Sequence, residues 1–251
     1  MILKKYDKKT KEDLKNFLVL KDLQCNNLDW CKWAGWFDTD GYIPKKNRKI
    51  TLSLSDKQPV ELLSKFMEST IYYAEHETIT PEPYRNKYVA KEFITTISGE
   101  KSIFFVKKIY PYMLNEEKKL RACKILGYQP ESKKLDDWTK EEVVSYVATA
   151  LEGDGHIVIE KRKRTKDYLR LCIDSSNAEY LSLIKYLIDK QFNTCINIAE
   201  VKIYKTKKGL KAKYKMYLPN IDELHKMLAV NNIMTLDRKR NKILYHINQG
   251  Q

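Results

Sequence analysis

Cysteine is sparse and scattered in this chain. Cys25, Cys31, Cys123, Cys172 and Cys195 form no C-x-x-C pair, and none stands at finger-like spacing from His76, His156, His225 or His246. Neither zinc nor a disulfide framework is therefore expected, and the thiols read as reduced ones in an intracellular protein. No apolar run approaches the ~20 residues of a membrane span. The start, Met1-Ile2-Leu3-Lys4-Lys5, lacks a signal-peptide core, so neither membrane insertion nor export is expected. A glycine-rich phosphate loop and a nucleophile elbow are also missing, which removes the usual markers of nucleotide-loop and serine-hydrolase chemistry. Acid is in deficit as well: 33 Asp and Glu stand against 47 Lys and Arg.

That imbalance gives a formal net charge of +14 and a pI of about 9.3. Two readings are open: a polyanionic partner, most simply nucleic acid, or a solvated lysine-rich surface. Hydrophobic residues make up 43% of the 251 positions, enough apolar material for a real core. The most informative feature is a repeat. Trp33-Ala34-Gly35-Trp36-Phe37-Asp38-Thr39-Asp40-Gly41 is echoed by Val147-Ala148-Thr149-Ala150-Leu151-Glu152-Gly153-Asp154-Gly155. The Asp-Gly aspartates lie 154 − 40 = 114 residues apart, about one small domain, so the chain reads as two versions of one unit. We place the halves at 1–127 and 138–251, with a linker at 128–137 that contains Pro130 and mixed charges.

Each half reads as helix, strand, strand, helix, strand, strand, helix. Thr10-Lys11-Glu12-Asp13 has capping-box spacing for a leading helix, and a motif helix spans about Leu28 to Thr39. Gly35 inside that helix costs roughly 1 kcal/mol relative to Ala, which implies close approach of another backbone. Tyr42-Ile43-Pro44, a basic turn Lys45–Lys49, and the alternating run Ile50–Ser55 follow. Next come a helix from Pro59, strands at Ile71–His76 and Tyr88–Ser98, and helices at Glu100–Met113 and Asn115–Leu126. In the second half Thr139 with Glu142 caps the motif helix. His156–Glu160, a basic turn Lys161–Lys166, and Tyr168–Asp174 come next, and Asn177 caps a further helix. A hairpin, Ile196–Lys205 with Leu210–Leu218, precedes two last helices. Lys124-Ile125-Leu126 and Lys242-Ile243-Leu244 echo one another at an offset of 242 − 124 = 118.

If the small residues bring the two motif helices together in parallel, Asp40 and Asp154 meet at their C-terminal ends. Two carboxylates there repel. The arrangement makes sense with divalent cations between them, held by carboxylate and backbone oxygens as Mg²⁺ prefers and able to promote phosphodiester hydrolysis. Asp38 and Glu152 point elsewhere and read as structural acids at the helix ends. Lys211, Lys213 and Lys215 alternate with Ala212, Tyr214 and Met216 on one strand face; Lys202 and Lys205 sit on the partner strand, not strictly on a shared face. Such a ribbon can enter a DNA major groove with lysines on phosphates, or it can simply be a solubilised sheet face. The aromatic cluster Trp30, Trp33, Trp36 and Phe37 reads as core, and His156 as an ordinary strand residue beside the second motif.

Two helices ending in Asp-Gly, each followed by strand, basic turn, strand and helix, resemble a single-chain LAGLIDADG homing endonuclease, from about Leu28 to Asn248. The first motif keeps the family's Ala, Gly, both aspartates and final Gly. The second keeps Ala148, Asp154 and Gly155 but has Thr149 for the close-packing glycine and Glu152 for the first aspartate. The resemblance implies an α+β fold of two pseudo-symmetric αββαββα halves, each with a four-stranded antiparallel sheet, forming a saddle over DNA. Ala34, Gly35, Ala148 and Thr149 would form the helix interface, and Thr149 leads us to expect a looser or shifted crossing. Asp40 and Asp154 would be catalytic and would bind Mg²⁺ or Mn²⁺, helped by the main-chain carbonyls of Thr39 and Gly153; Ca²⁺ would bind without supporting cleavage. The resemblance also implies a basic residue near the metals from each half's last helices, for which Lys118 or Lys119 and Lys239 or Lys242 are the candidates. DNA contacts would come from Lys45, Lys46, Arg48, Lys49, Lys161, Arg162, Lys163, Arg164, Lys202, Lys205, Lys211, Lys213 and Lys215. The implied activity is a double-strand break with short 3′ overhangs at a long asymmetric site, made by a monomer. An intron-RNA maturase on the same surface, or a non-cleaving DNA-binding protein, is the alternative.

Overall fold

The motif helices begin where capping side chains end the preceding loops. Asn26 accepts from the Asp29 N–H and the Asp29 carboxylate accepts from the Asn26 N–H, each at 3.1 Å. Thr139 and Glu142 repeat that reciprocal pairing, satisfying donors that a helix start leaves open. The computed structural model describes residues 8–79, 87–161, 167–206, 209–218, 221–230 and 233–249. The first half comprises α1 (Lys8–Gln24), α2 (Asn27–Thr39), β1 (Gly41–Tyr42), β2 (Lys49–Leu54), α3 (Lys57–Met67), β3 (Ile71–Ile79), β4 (Lys87–Ser98), α4 (Glu100–Ile109) and α5 (Glu116–Leu126). The second comprises α6 (Lys140–Gly153), β5 (Gly155–Glu160), β6 (Tyr168–Ser175), α7 (Ala178–Phe192), β7 (Ile198–Thr206), β8 (Gly209–Tyr217), α8 (Asp222–Val230) and α9 (Asp237–Asn248).

Each half builds one antiparallel sheet, in the orders β1-β2-β4-β3 and β5-β6-β8-β7. Period-two alternation decides which face is buried. Ile50, Leu52 and Ile97 point to the first core, and Leu169, Leu171, Ile173 and Met216 to the second. Residues between them line the other, open face of each sheet. Helices α2 and α6 lie side by side at the centre. From Glu142 to Glu152 every residue of α6 is buried, so this helix is enclosed all round rather than amphipathic. Trp30, Trp33, Trp36 and Phe37 are buried on α2, and Trp30 and Trp33 pack against Phe66 and Phe105. Among the described residues no helix is long and apolar enough to cross a membrane.

Three local expectations are corrected. Thr10 lies inside α1, which already begins at Lys8, so it does not mark the helix start. The helix after Gly99 stops at Ile109 and continues as a tighter 3₁₀ turn over Tyr110–Tyr112, where Pro111 brings no N–H for an α-helical bond. Thr149 does not hold the two motif helices apart. Its hydroxyl donates to the Tyr146 carbonyl of its own helix at 3.0 Å and occupies the space that the absent Gly35 side chain leaves. A Cβ at Gly35 would collide with that hydroxyl and lie 2.8 Å from the Tyr146 carbonyl. One glycine is enough for close approach when the facing residue folds its polar atom back onto its own helix.

Candidate functional site

Asp40 and Asp154 are the C-terminal caps of α2 and α6; their N–H groups donate to Trp36 and Ala150 carbonyls at 3.0 and 3.1 Å. Both carboxylates thus sit at negative helix-dipole ends. The helices bring them together: a Cβ added at Gly153 would fall on the Asp40 carboxylate and the Thr39 hydroxyl. Burial, and then the charge of Asp154, raise the Asp40 carboxyl from 3.8 to about 6. Asp154 is also raised, chiefly by burial, although its tip opens to solvent. Asp40 Oδ2 is buried without a hydrogen-bond partner. A buried, unpartnered carboxylate oxygen beside a second carboxylate is a donor set suited to a hard divalent cation.

Two lysines close the site from behind. Lys118 Nζ donates to the carbonyls of Phe37 and Thr39, each at 2.7 Å. Lys239 Nζ donates to those of Leu151, Glu152 and Gly155 at 2.8, 2.5 and 2.7 Å. These ammonium groups satisfy carbonyls that a helix end leaves open. Burial lowers both, Lys239 to about 8, against the pull of the carboxylates. Their places are equivalent, since Phe37 and Leu151 each stand three residues before the aspartate. The lysines are 239 − 118 = 121 residues apart, so the Lys-Ile-Leu echo at 118 is not the structural register. Lys119 instead reaches Glu116 at 3.1 Å, and Lys242 reaches the Ile157 carbonyl at 3.0 Å.

Asp38 and Glu152 hold those lysine-bearing helices in place. Asp38 Oδ2 accepts from the Leu114 and Asn115 N–H groups at 2.5 and 3.2 Å, just ahead of α5, and from the Tyr146 hydroxyl of the other half at 2.5 Å. Glu152 accepts from the Leu236 N–H just ahead of α9. Burial raises both carboxyls, Glu152 to about 7.

No protein-family model matches the chain, and neither does any curated protein. Solved structures do. The homing endonuclease I-WcaI bound to its DNA recognition sequence aligns at a TM-score of 0.50 and 15% identity, over 96% of this chain and 94% of that one. This is the two-half LAGLIDADG fold. I-DmoI in complex with DNA and Ca aligns at 0.47 and 11% identity, over 88% of this chain and 98% of that one. Full-length DUF199/WhiA from Thermatoga maritima aligns at 0.47 and 16% identity; the match covers 90% of this chain but only 61% of that longer protein. At 15% identity the likeness to I-WcaI fixes the fold and leaves the chemistry to the site.

The open faces of the two LAGLIDADG sheets differ. The first carries hydroxyls and aromatics: Thr51 opposite Thr96, Ser53 opposite Ile94, and Ile94 opposite exposed Tyr72. The second carries cations. A bulge between Glu200 and Lys202 shifts β7 by one residue, so that Lys202 lies directly opposite Lys213. Lys202 therefore joins the Lys213 face. Lys205 pairs in register with Leu210 and Lys211 with Tyr204; the side chains of these four lie outside the described residues. Lys45, Lys46, Arg48, Lys49 and Lys161 are exposed. Arg162, Lys163 and Arg164 lie outside the described residues.

One acid on this face escaped the sequence reading. Asp174 receives Lys213 at 2.9 Å and Lys215 at 3.6 Å. Two of the three alternating lysines are thus internally engaged. Cys172, beside it on β6, holds His156 Nε2 at 2.7 Å across the strands. The signal was present in the alternation of Cys172 and Asp174 with buried Leu171 and Ile173, but only strand register joins them to His156.

Proposed function

We propose that the chain is a divalent-metal-dependent endonuclease that cuts double-stranded DNA at a long, asymmetric site. The observation that carries this reading is the meeting of Asp40 and Asp154 at the ends of two abutting helices, backed by the buried ammonium groups of Lys118 and Lys239. A protein that only binds DNA gains nothing from a desolvated carboxylate pressed against a second one. The residues fit Mg²⁺ or Mn²⁺: Asp40, Asp154 and the carbonyl of Gly153 offer oxygen alone. The Thr39 carbonyl joins them when Lys118 turns away from it. Cations held there supply Lewis-acid chemistry for in-line phosphodiester hydrolysis and stabilise the leaving oxygen.

The chain's own residues do the rest. Asp38 and Glu152 fix the helices from which Lys118 and Lys239 reach the site. Lys118 and Lys239 keep positive charge beside the position a scissile phosphate would take. Lys202 lies opposite Lys213; Asp174 holds Lys213, and Lys202 is left to meet a phosphate. The hydroxyl and aromatic face of the first sheet suits base edges and sugar more than phosphate.

The test is incubation of the protein with a random duplex library in Mg²⁺, followed by sequencing of the ends. We expect breaks at one long motif, lost in Asp40→Asn and in Asp154→Asn while DNA binding persists. Double-strand cutting at the normal rate by either variant overturns the assignment. Tight binding to structured intron RNA, with no DNA cut under any divalent cation, replaces it with the maturase reading.

A further inference from the structure

We propose that His156, Cys172 and Asp174 form a separate binding site for a borderline-soft divalent cation of the zinc class, set in the open face of the second sheet beside Asp154. Strand register assembles it. His156 on β5 lies directly opposite Cys172 on β6, and Asp174, two residues further along, projects to the same side. One donor atom from each of the three lies within 4.8 Å of the others. Cys172 Sγ is 2.7 Å from His156 Nε2, and His156 Nδ1 is 3.9 Å from Asp174.

The chemistry of the set selects the ion. Imidazole, thiol and carboxylate together suit zinc, whereas Mg²⁺ and Ca²⁺ prefer oxygen alone. With zinc bond lengths of about 2.0 to 2.3 Å, tetrahedral donors stand roughly 3.3 to 3.6 Å apart. The sulfur and imidazole therefore need to part by about 0.8 Å from 2.7 Å, and the carboxylate, within 4.8 Å of both, to draw in by up to about 1.5 Å. On binding, the Cys172 thiol gives its proton to solvent and its sulfur lone pair forms the metal bond. Lys213 leaves its place on Asp174, returning one ammonium group to the sheet face.

The surroundings make the trio unusual. Arg170, Lys213 and Lys215 share this face, and cations of that kind are what a phosphate-facing surface needs. A thiol buried against an imidazole gives a phosphate little. Three donors leave a fourth position to solvent, the pattern of exchangeable rather than purely structural sites.

The test needs no cleavage assay, so its failure is separate from that of the nuclease reading. The full chain, kept reduced with a non-thiol reductant, is titrated with Co²⁺. We expect a near-ultraviolet thiolate-to-cobalt charge-transfer band that saturates at one equivalent per chain and is displaced by Zn²⁺. Asp40→Asn and Cys195→Ser should retain the band; Cys172→Ser should lose it, and His156→Gln should weaken the binding. A variant-free check is X-ray absorption of the wild-type chain with one equivalent of zinc, where one sulfur at about 2.3 Å with nitrogen and oxygen near 2.0 Å is expected. A wild-type chain without the band, a shell of nitrogen and oxygen alone, or a band that survives Cys172→Ser overturns the site.

Discussion

Replacing Asp40 by asparagine takes one negative charge out of a crowded carboxylate site, and the metal-free protein should gain stability from it. Burial, then Asp154, lift this carboxyl from 3.8 to about 6. A carboxyl whose affinity for protons is higher in the fold favours folding at low pH, and that contribution is lost as pH rises through about 6. At about 1.36 kcal/mol for each decade of proton affinity, the rise amounts to ~3 kcal/mol of strain at pH 8. Asparagine keeps the shape and removes the charge, but its amide must still find partners where Oδ2 has none. A net gain of about 1 to 3 kcal/mol is expected in EDTA at pH 8, seen as a Tm rise of roughly 2 to 4 °C per kcal/mol in a chain of this length. The gap should close toward pH 4. Adding Ca²⁺ should raise the wild-type Tm and leave the variant nearly unmoved, because ligand that binds only the folded state stabilises in proportion to its occupancy. The assay is differential scanning calorimetry at both pH values, with and without the ion. A variant that melts below wild type at pH 8 in EDTA, or a difference that does not change with pH, would refute the reasoning.

Gly35→Ala should cost about 1 to 3 kcal/mol, because the new Cβ meets the Thr149 hydroxyl and the Tyr146 carbonyl. In a Thr149→Ala background denaturant melts should show a smaller loss, with the remainder due to the carbonyl; equal losses would disconnect the two positions. His225 is held down from 6.5 to about 4 by burial and then by His246. Its contribution is present above about pH 6.5 and lost as pH falls toward 4, ~3 kcal/mol in all; His225→Phe should flatten that part of the stability curve. If Lys202 meets phosphate, Lys202→Ala should lower the salt slope of DNA affinity by about 1. Lys119→Ala, whose ammonium is engaged by Glu116, should leave that slope unchanged.

Much of the architecture was legible because local rules and repetition agree. The duplicated Asp-Gly motif announced two like halves, and Thr139 with Glu142 announced the start of the second motif helix. The Ile50–Ser55 alternation announced a strand with one buried face. Where local rules misled, a neighbouring turn or strand had the deciding vote. Thr10 has the right spacing for a cap, yet nothing local stops the helix from extending back to Lys8.

The linear chain by itself determined that two helices end in a turn bearing an acid, that each leads into a half-buried sheet, and that positive charge dominates. Those facts follow from capping chemistry, hydrophobic period and composition, which act over a few residues. Only the folded arrangement chose Lys118 over Lys119 and Lys239 over Lys242, put Asp174 onto Lys213, and set His156 against Cys172. Each of those choices depends on which side chain crosses between elements tens of residues apart. Such contacts are set by packing distance and strand register, which no local pattern encodes.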